Sequence, residues 1–180
     1  MNLNLVNQVW IFFNLIERVE AKSFDFYCFA DHDDIWLPTK LIEGTNKLKK
    51  SGYRGYSSAF HIFDGYSEPK RISSKHPKQK LFDHFFSSPG PGCTFILDKV
   101  GYDILRTHII KNNRLFTNCE YHDWAIYAFF RAKDLKWIID NRSFIYYRQH
   151  ERNDTGANKG LKAWNKRINL FLNRTYEYQV

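Results

Sequence analysis

The segment Phe24 to Lys40, FDFYCFADHDDIWLPTK, constrains this chain more than any other. Its aromatic first part reads as a short strand buried on both faces, the kind found in a sheet that is covered on both sides. The strand runs straight into Asp31, His32, Asp33 and Asp34, which places three carboxylates within four residues. Packing gives no reason for such a cluster. Like charges this close repel one another, and each loses hydration when it is buried. A cation, or a ligand that brings one, would make the cluster tolerable. The alternative is a charged turn that caps the following helix, with Asp34 near its start.

Around this segment the chain alternates helical and extended patterns. Val9, Trp10, Phe12, Phe13, Leu15 and Ile16 recur at helical spacing and predict a helix over residues 7–21. Pro38 suits the first turn of a second helix, TKLIEGTNKLKK, whose lysines crowd its far end, where the helix dipole favours them. YRGYSSAFHIFDG predicts a strand closed by a turn at Asp64 and Gly65, and the basic, proline-containing residues 66–78 predict a loop. A short helix at KLFDHFF, a stiff turn at SSPGPG, a strand at CTFILD and a helix at KVGYDILRTHII follow, the last weakened by Gly101. CEYHDWAIYAFFRAK predicts another helix, and LKWIID and SFIYYRQ predict two strands parted by a turn at Asp140 and Asn141. The tail carries Leu161, Trp164, Ile168 and Leu172 about a turn apart and reads as a basic amphipathic helix.

This alternation predicts an α/β fold with a mostly parallel central sheet flanked by helices. In such sheets ligands bind beyond the carboxyl ends of strands, where Asp31 to Asp34 lie. The 180 residues suit a single domain with a real core, and no internal repeat is present. A hydrophobic content of 43% with 18% aromatics excludes a disordered chain. The net charge of +8 fits an anionic partner without choosing among nucleotide, phosphate, nucleic acid and acidic membrane. Cys28, Cys93 and Cys119 are odd in number and widely spaced, so they form no zinc knuckle or disulfide framework and read as thiols in a reducing compartment. The first residues show no basic leader or cleavage site, and no window has the length of a membrane span. The expected location is the cytoplasm, with peripheral contact at the inner face of a membrane left open.

Three stretches offer chemistry. Asp31 and Asp33 form an Asp-X-Asp pair, in which both side chains can reach one divalent ion, or one can hold the ion and the other a ribose hydroxyl. Oxygen ligands suit magnesium and manganese. Glu120, His122 and Asp123 lie where a helix begins: Asp123 fits a general base, with a dipole-stabilised helix acid as the alternative, and His122 fits a core or capping residue. Arg148 and His150 share one side of a strand end; Arg148 suits a phosphate and His150 the same phosphate or the metal, against a plain solvated surface pair. SPGPGC is no Walker loop; it either brings backbone close to a sugar or is a rigid turn.

Taken in order, FADHDDIWLPTKL, GPGCTFILDK, YHDWAIY and IYYRQHERNDTGA resemble the family 2 glycosyltransferases, most of all the bacterial rhamnosyltransferase-like branch that builds surface polysaccharides. The resemblance covers roughly residues 7–157. It implies a partial GT-A, Rossmann-like fold over residues 1–157 and, as a separate unit, the basic helix of residues 158–180. It also implies a nucleotide-diphosphate sugar as donor, Mg or Mn as cofactor, a lipid-linked glycan or polysaccharide acceptor, and inversion at the anomeric carbon. By position it places Asp31 beside the nucleotide sugar and Asp33 on the metal at the diphosphate, with Asp34 in support. Gly92 and Cys93 would flank donor sugar and acceptor, Asp123 would be the catalytic base, and Arg148, Gln149 and His150 would close over the diphosphate. His32 stands where the family commonly has Gln.

The resemblance also implies that the family's first two strand–helix units have no counterpart here, a shortfall of about 60 residues at about 30 per unit. That would leave a sheet edge open to self-association or to a partner chain. The rival readings are a non-catalytic remnant or subunit that binds sugar or polysaccharide and, further off, a Mg-dependent phosphate hydrolase. Nucleic-acid binding ranks below both, because the basic residues are scattered and the aromatics read as core.

Overall fold

The computed structural model describes residues 8–22, 24–63, 68–72, 79–112 and 121–148. The expected tail helix, the Asp64-Gly65 turn, Cys119, Glu120, Gln149 and His150 lie outside them. Among the described residues, four helices and six strands follow one another as α1 (Gln8–Arg18), β1 (Phe26–Cys28), β2 (Ile35–Trp36), α2 (Lys40–Ser51), β3 (Gly55–Phe63), β4 (Lys70–Ile72), β5 (Ile96–Asp98), α3 (Lys99–Lys111), α4 (His122–Ala132) and β6 (Trp137–Arg148). Two 3-10 turns, Asp83–Phe85 and Gly92–Thr94, come between β4 and β5.

The sheet is mixed, with the strand order β1-β5-β3-β6-β2 and β4 added alongside β3. Only β3 and β6 run parallel; the pairings β1–β5, β5–β3, β3–β4 and β6–β2 are antiparallel. The expectation of a mostly parallel, open Rossmann-like sheet is therefore wrong. The alternation of helices and strands misled it, because several connections here are not helical crossovers. β1 reaches β2 through a short loop, and β5 enters the sheet from a 3-10 turn rather than from a helix.

Two local expectations change as well. The expected strands around WIID and SFIYYR form the single strand β6, and Asp140 and Asn141 mark a bulge rather than a turn: the register against β3 shifts between Ser58 and Ala59 and again before His61. The Asp140 carboxylate accepts from the Arg142 amide at 3.1 Å, an Asx-type contact that absorbs the extra residue. Lys70–Ile72 pairs with β3 inside what reads as a loop.

The sheet buries both faces. On one, α1, α3 and α4 lay Val9, Phe13, Ile16, Leu105, Ile109, Ile126 and Phe130 against Phe95, Leu97 and Trp137. On the other, Leu48 of α2 meets Tyr56 and Ile96. Alternate residues of β5 thus serve opposite layers, as strand geometry requires. Gly44 lets α2 approach closely, since a Cβ there would run into Ile96 and Tyr56. Gly101, which weakens α3 on propensity, sits where that helix packs onto the Arg54 carbonyl and Phe130; a Cβ would come within 2.9 Å of the carbonyl oxygen.

The strand order also fixes the position of the acidic loop. β1 and β2 lie at opposite ends of the path, so residues 29–34 must cross the ends of β5, β3 and β6 between them. The seven steps from Cys28 to Ile35 can reach at most about 23–25 Å, which leaves room for the turn at His32 and Asp33 while spanning four inter-strand steps of about 4.8 Å. The end of β1, the end of β3, the start of β5, the end of β6 and the start of β2 meet on this one side of the sheet.

Candidate active site

Asp31, Asp34 and Cys93 come together here, with one potential ligand atom from each lying within 4.8 Å of the others. The crossing loop delivers the two carboxylates, and the 3-10 turn before β5 delivers the thiol. Burial pushes the Asp31 carboxyl above its ordinary range, and the charges of Asp34 and Asp33 push it the same way, while His122 and the Cys93 thiol pull it back. Burial likewise raises Asp34, against the Cys93 thiol and the Arg148 amide. Burial, with the two carboxylates, raises the Cys93 thiol far enough to keep it protonated. It therefore sits here as a hydrogen-bond donor.

Arg148 closes the loop from the end of β6. Its backbone amide donates to Asp34 Oδ1 at 3.0 Å, and its Nε donates to the Asp33 carbonyl at 3.1 Å. The guanidinium also stacks on Phe63 at the end of β3, 4.7 Å from the ring centroid. Asp33 presents its backbone to Arg148, and it is not one of the three residues that converge. Asp34 Oδ2, by contrast, is buried without a hydrogen-bond partner.

An orphaned carboxylate oxygen between like charges is the position a divalent cation would satisfy. The cluster is compatible with a divalent metal. Its carboxylate oxygens match hard ions such as Mg or Mn.

The start of α4 reaches the same place. His122 lies flat on Phe12, with ring centroids 3.9 Å apart and planes 11° from parallel, and its ring packs onto Gly92. Burial lowers its pKa against the charges of Asp123 and Asp31, so the ring is neutral, and its buried Nε2 has no hydrogen-bond partner. Asp123 follows at once and accepts from the Trp124 amide at 2.7 Å through Oδ1. Trp124 in turn donates from Nε1 to the His84 carbonyl at 2.7 Å, which braces this end of α4 against the Asp83–Phe85 turn.

Sequence reasoning passed over Lys40 altogether and read His122 as a core or capping group. Lys40, the first residue of α2, is 1% exposed, and its Nζ has no hydrogen-bond partner and lies 3.6 Å over the Trp36 ring. A lysine at a helix start works against the dipole, and that breach of a local rule was the available signal.

No family model matches the chain. Over 170 residues it is 36% identical to the dTDP-rhamnosyl transferase RfbG of Shigella flexneri, an alignment that takes in 94% of this chain and 58% of the relative. This likeness supports an assignment to the rhamnosyltransferase-like group of the family 2 type. The chain spans little more than half the length of the curated relative it matches. Among the described residues, no helix is long and apolar enough to cross a membrane.

Proposed function

We propose that this rhamnosyltransferase-like chain forms the catalytic part of an inverting glycosyltransferase. It would move a sugar, rhamnose in the reading its relative favours, from a nucleoside-diphosphate donor to a lipid-linked or polysaccharide acceptor. The observation that carries the proposal is the convergence at one sheet end of four segments far apart in sequence: the Asp31–Asp34 loop, Gly92 and Cys93, His122 and Asp123, and Arg148. The identity to a dTDP-rhamnosyl transferase over nearly the whole chain adds to it.

Asp33 and Asp31 would hold Mg or Mn together with the unpartnered Oδ2 of Asp34, and His150 is a further candidate ligand. When bound, the ion neutralises charge on the departing diphosphate. Asp31 would also face the donor sugar or its ribose, between Gly92 and Cys93 on one side and the start of α4 on the other. Asp123 would take the proton from the acceptor hydroxyl. That oxygen then bonds to the anomeric carbon from the face opposite the leaving group, and the nucleoside diphosphate departs with the electrons of the broken C–O bond. Arg148, with Gln149 and His150 beyond it, would close over the diphosphate; Arg148 already holds the loop that would carry the ion. The acceptor's phosphates suit a basic chain at the inner face of a membrane.

Calorimetry with Mn and dTDP tests the ligand assignment. Asp33→Asn is expected to weaken metal-dependent nucleotide binding at least about tenfold, the effect of losing one charged ligand. In protein extended to the relative's length, Asp123→Asn should lower transfer by a factor of about 100 or more with donor affinity nearly intact. Unchanged metal-dependent binding in Asp33→Asn removes that residue from the site. An equal loss of donor affinity in Asp123→Asn makes it a binding group and leaves the chain without an assigned base.

A further inference from the structure

Among the described residues, Lys40 is an anomalous charge. It is fully buried, it opens a helix at the positive end of the dipole, and its ammonium makes no hydrogen bond. A cation so placed loses its hydration and gains little from backbone groups, which at a helix start are donors like itself. Two features of its surroundings favour it. The Trp36 ring, 3.6 Å away, offers its negative face. Burial pulls the Lys40 pKa down, and Asp34, within electrostatic reach, opposes that fall. Asp34 carries the complementary anomaly, a buried oxygen with no partner. An unpartnered ammonium and a carboxylate with one unpartnered oxygen thus lie within electrostatic reach of each other, joined by the short run Ile35–Thr39 that Leu37 pins to β6 through its amide and the Phe144 carbonyl at 2.9 Å.

We propose that Lys40 is the fixed countercharge of the cation site, a positioning residue that holds the Asp31–Asp34 loop together before a divalent ion arrives. The inference rests on the metal reading given above, and it adds a function to a residue that touches neither sugar nor acceptor. With Lys40 in place the loop carries less net negative charge, so the ion binds reversibly and the loop keeps its shape without it. Without Lys40, Asp34 keeps the Arg148 amide and the nearby Arg148 charge but loses a buried countercharge, so a divalent ion is held more tightly.

The test uses the whole chain, Mn alone as the probe, and a double-mutant cycle with Lys40→Met, Asp34→Asn and the pair, at pH 8. Lys40→Met is expected to melt at a lower temperature than the parent without metal, yet to bind Mn about tenfold more tightly or better, because a unit positive charge beside a dication has been removed. Its Mn-induced rise in melting temperature should exceed the parent's. Combining Lys40→Met with Asp34→Asn should restore metal-free stability relative to Lys40→Met, since it removes both orphaned charges. Mn affinity in Lys40→Met that is within twofold of the parent, or weaker, overturns the proposal. So does a double variant no more stable than the single one. If Lys40→Met does not fold, the pair decides: a folded double variant supports the countercharge role, and an unfolded one assigns Lys40 to packing on Trp36. Absence of any Mn binding by the parent would instead defeat the metal reading, while the metal-free cycle would still report on the pairing of Lys40 with Asp34.

Discussion

Gly92→Ala adds a single methyl group at the point where three parts of the site touch. Gly92 has no left-handed backbone angle, so the substitution introduces only volume. The new Cβ would lie 3.0 Å from His122 Cδ2, 3.4 Å from Cε1 and closer still to Nε2. Ordinary carbon contacts fall at about 3.5–4.0 Å, so the ring or the turn must give by about 1 Å. Neither yields freely. The ring is stacked on Phe12 at 3.9 Å, and the turn is locked by Phe95 N to Gly92 O at 2.8 Å and Thr94 N to Pro91 O at 3.0 Å. Overpacking of this kind costs about 1–3 kcal/mol. Because Cys93 follows Gly92 and Asp123 follows His122, the same displacement moves the groups proposed to act, and 1 Å at a reacting centre costs about 100-fold in rate. Urea unfolding should therefore show a loss of about 2 kcal/mol for Gly92→Ala. The matching substitution in protein of the relative's length should lower sugar transfer about 100-fold. Adding His122→Ala should return most of the stability, since it removes the atoms the methyl meets, but not the transfer. Stability within about 0.5 kcal/mol of the parent, the range of an ordinary surface change, would refute the reasoning. So would the lack of any recovery in the double variant, which would show that the contact with His122 is not what the methyl disturbs.

Burial alone would raise the Asp140 carboxyl, but hydrogen bonds from Arg142 and Lys47 outweigh it and hold its pKa at about 2. With an unfolded value near 3.9, the group stabilises the fold by about 2–3 kcal/mol above pH 4 and loses that contribution as pH falls through 2; Asp140→Asn should remove this part of the acid unfolding profile, and an unchanged profile would discount the network. Asp83 is buried beneath α4, where it accepts from Tyr127 Oη at 2.9 Å and pairs with Arg131 at 2.6 Å. Asp83→Asn should cost about 3–5 kcal/mol in chemical unfolding, because it leaves Arg131 without its buried partner, and a loss below about 1 kcal/mol would assign the pair to the solvated surface.

What the sequence makes legible here follows from how local each signal is. β1, α2, α3 and α4 are read from hydrophobic spacing; Pro38, expected in the first turn of α2, stands just before the Thr39 cap instead, and Asp98 caps α3 by accepting from the Gly101 amide at 2.7 Å. Strand direction is not a local property. Nothing in CTFILD distinguishes a strand that enters antiparallel from a 3-10 turn from one that follows a helical crossover, so the sheet was expected to be parallel. The bulge in β6 was misread for a related reason: Asp-Asn is turn chemistry, and only the partner strand shows that the carboxylate is absorbing an extra residue instead of reversing the chain. The acidic loop was legible because its cost is written in its composition. Three carboxylates at the end of an apolar strand demand an explanation in any fold. His122 carries no such mark and Lys40 only the weak one of a cation at a helix start, since a lone histidine or lysine is ordinary on a surface and becomes informative once buried without a partner. The two kinds of residue belong to one arrangement all the same. The order β1-β5-β3-β6-β2 forces residues 29–34 across the sheet end, and this crossing stacks the carboxylates over Cys93 and beside Lys40. In a sheet with β1 and β2 adjacent, the same loop would be a tight turn with its charges in water, and neither a cation nor a buried lysine would be needed.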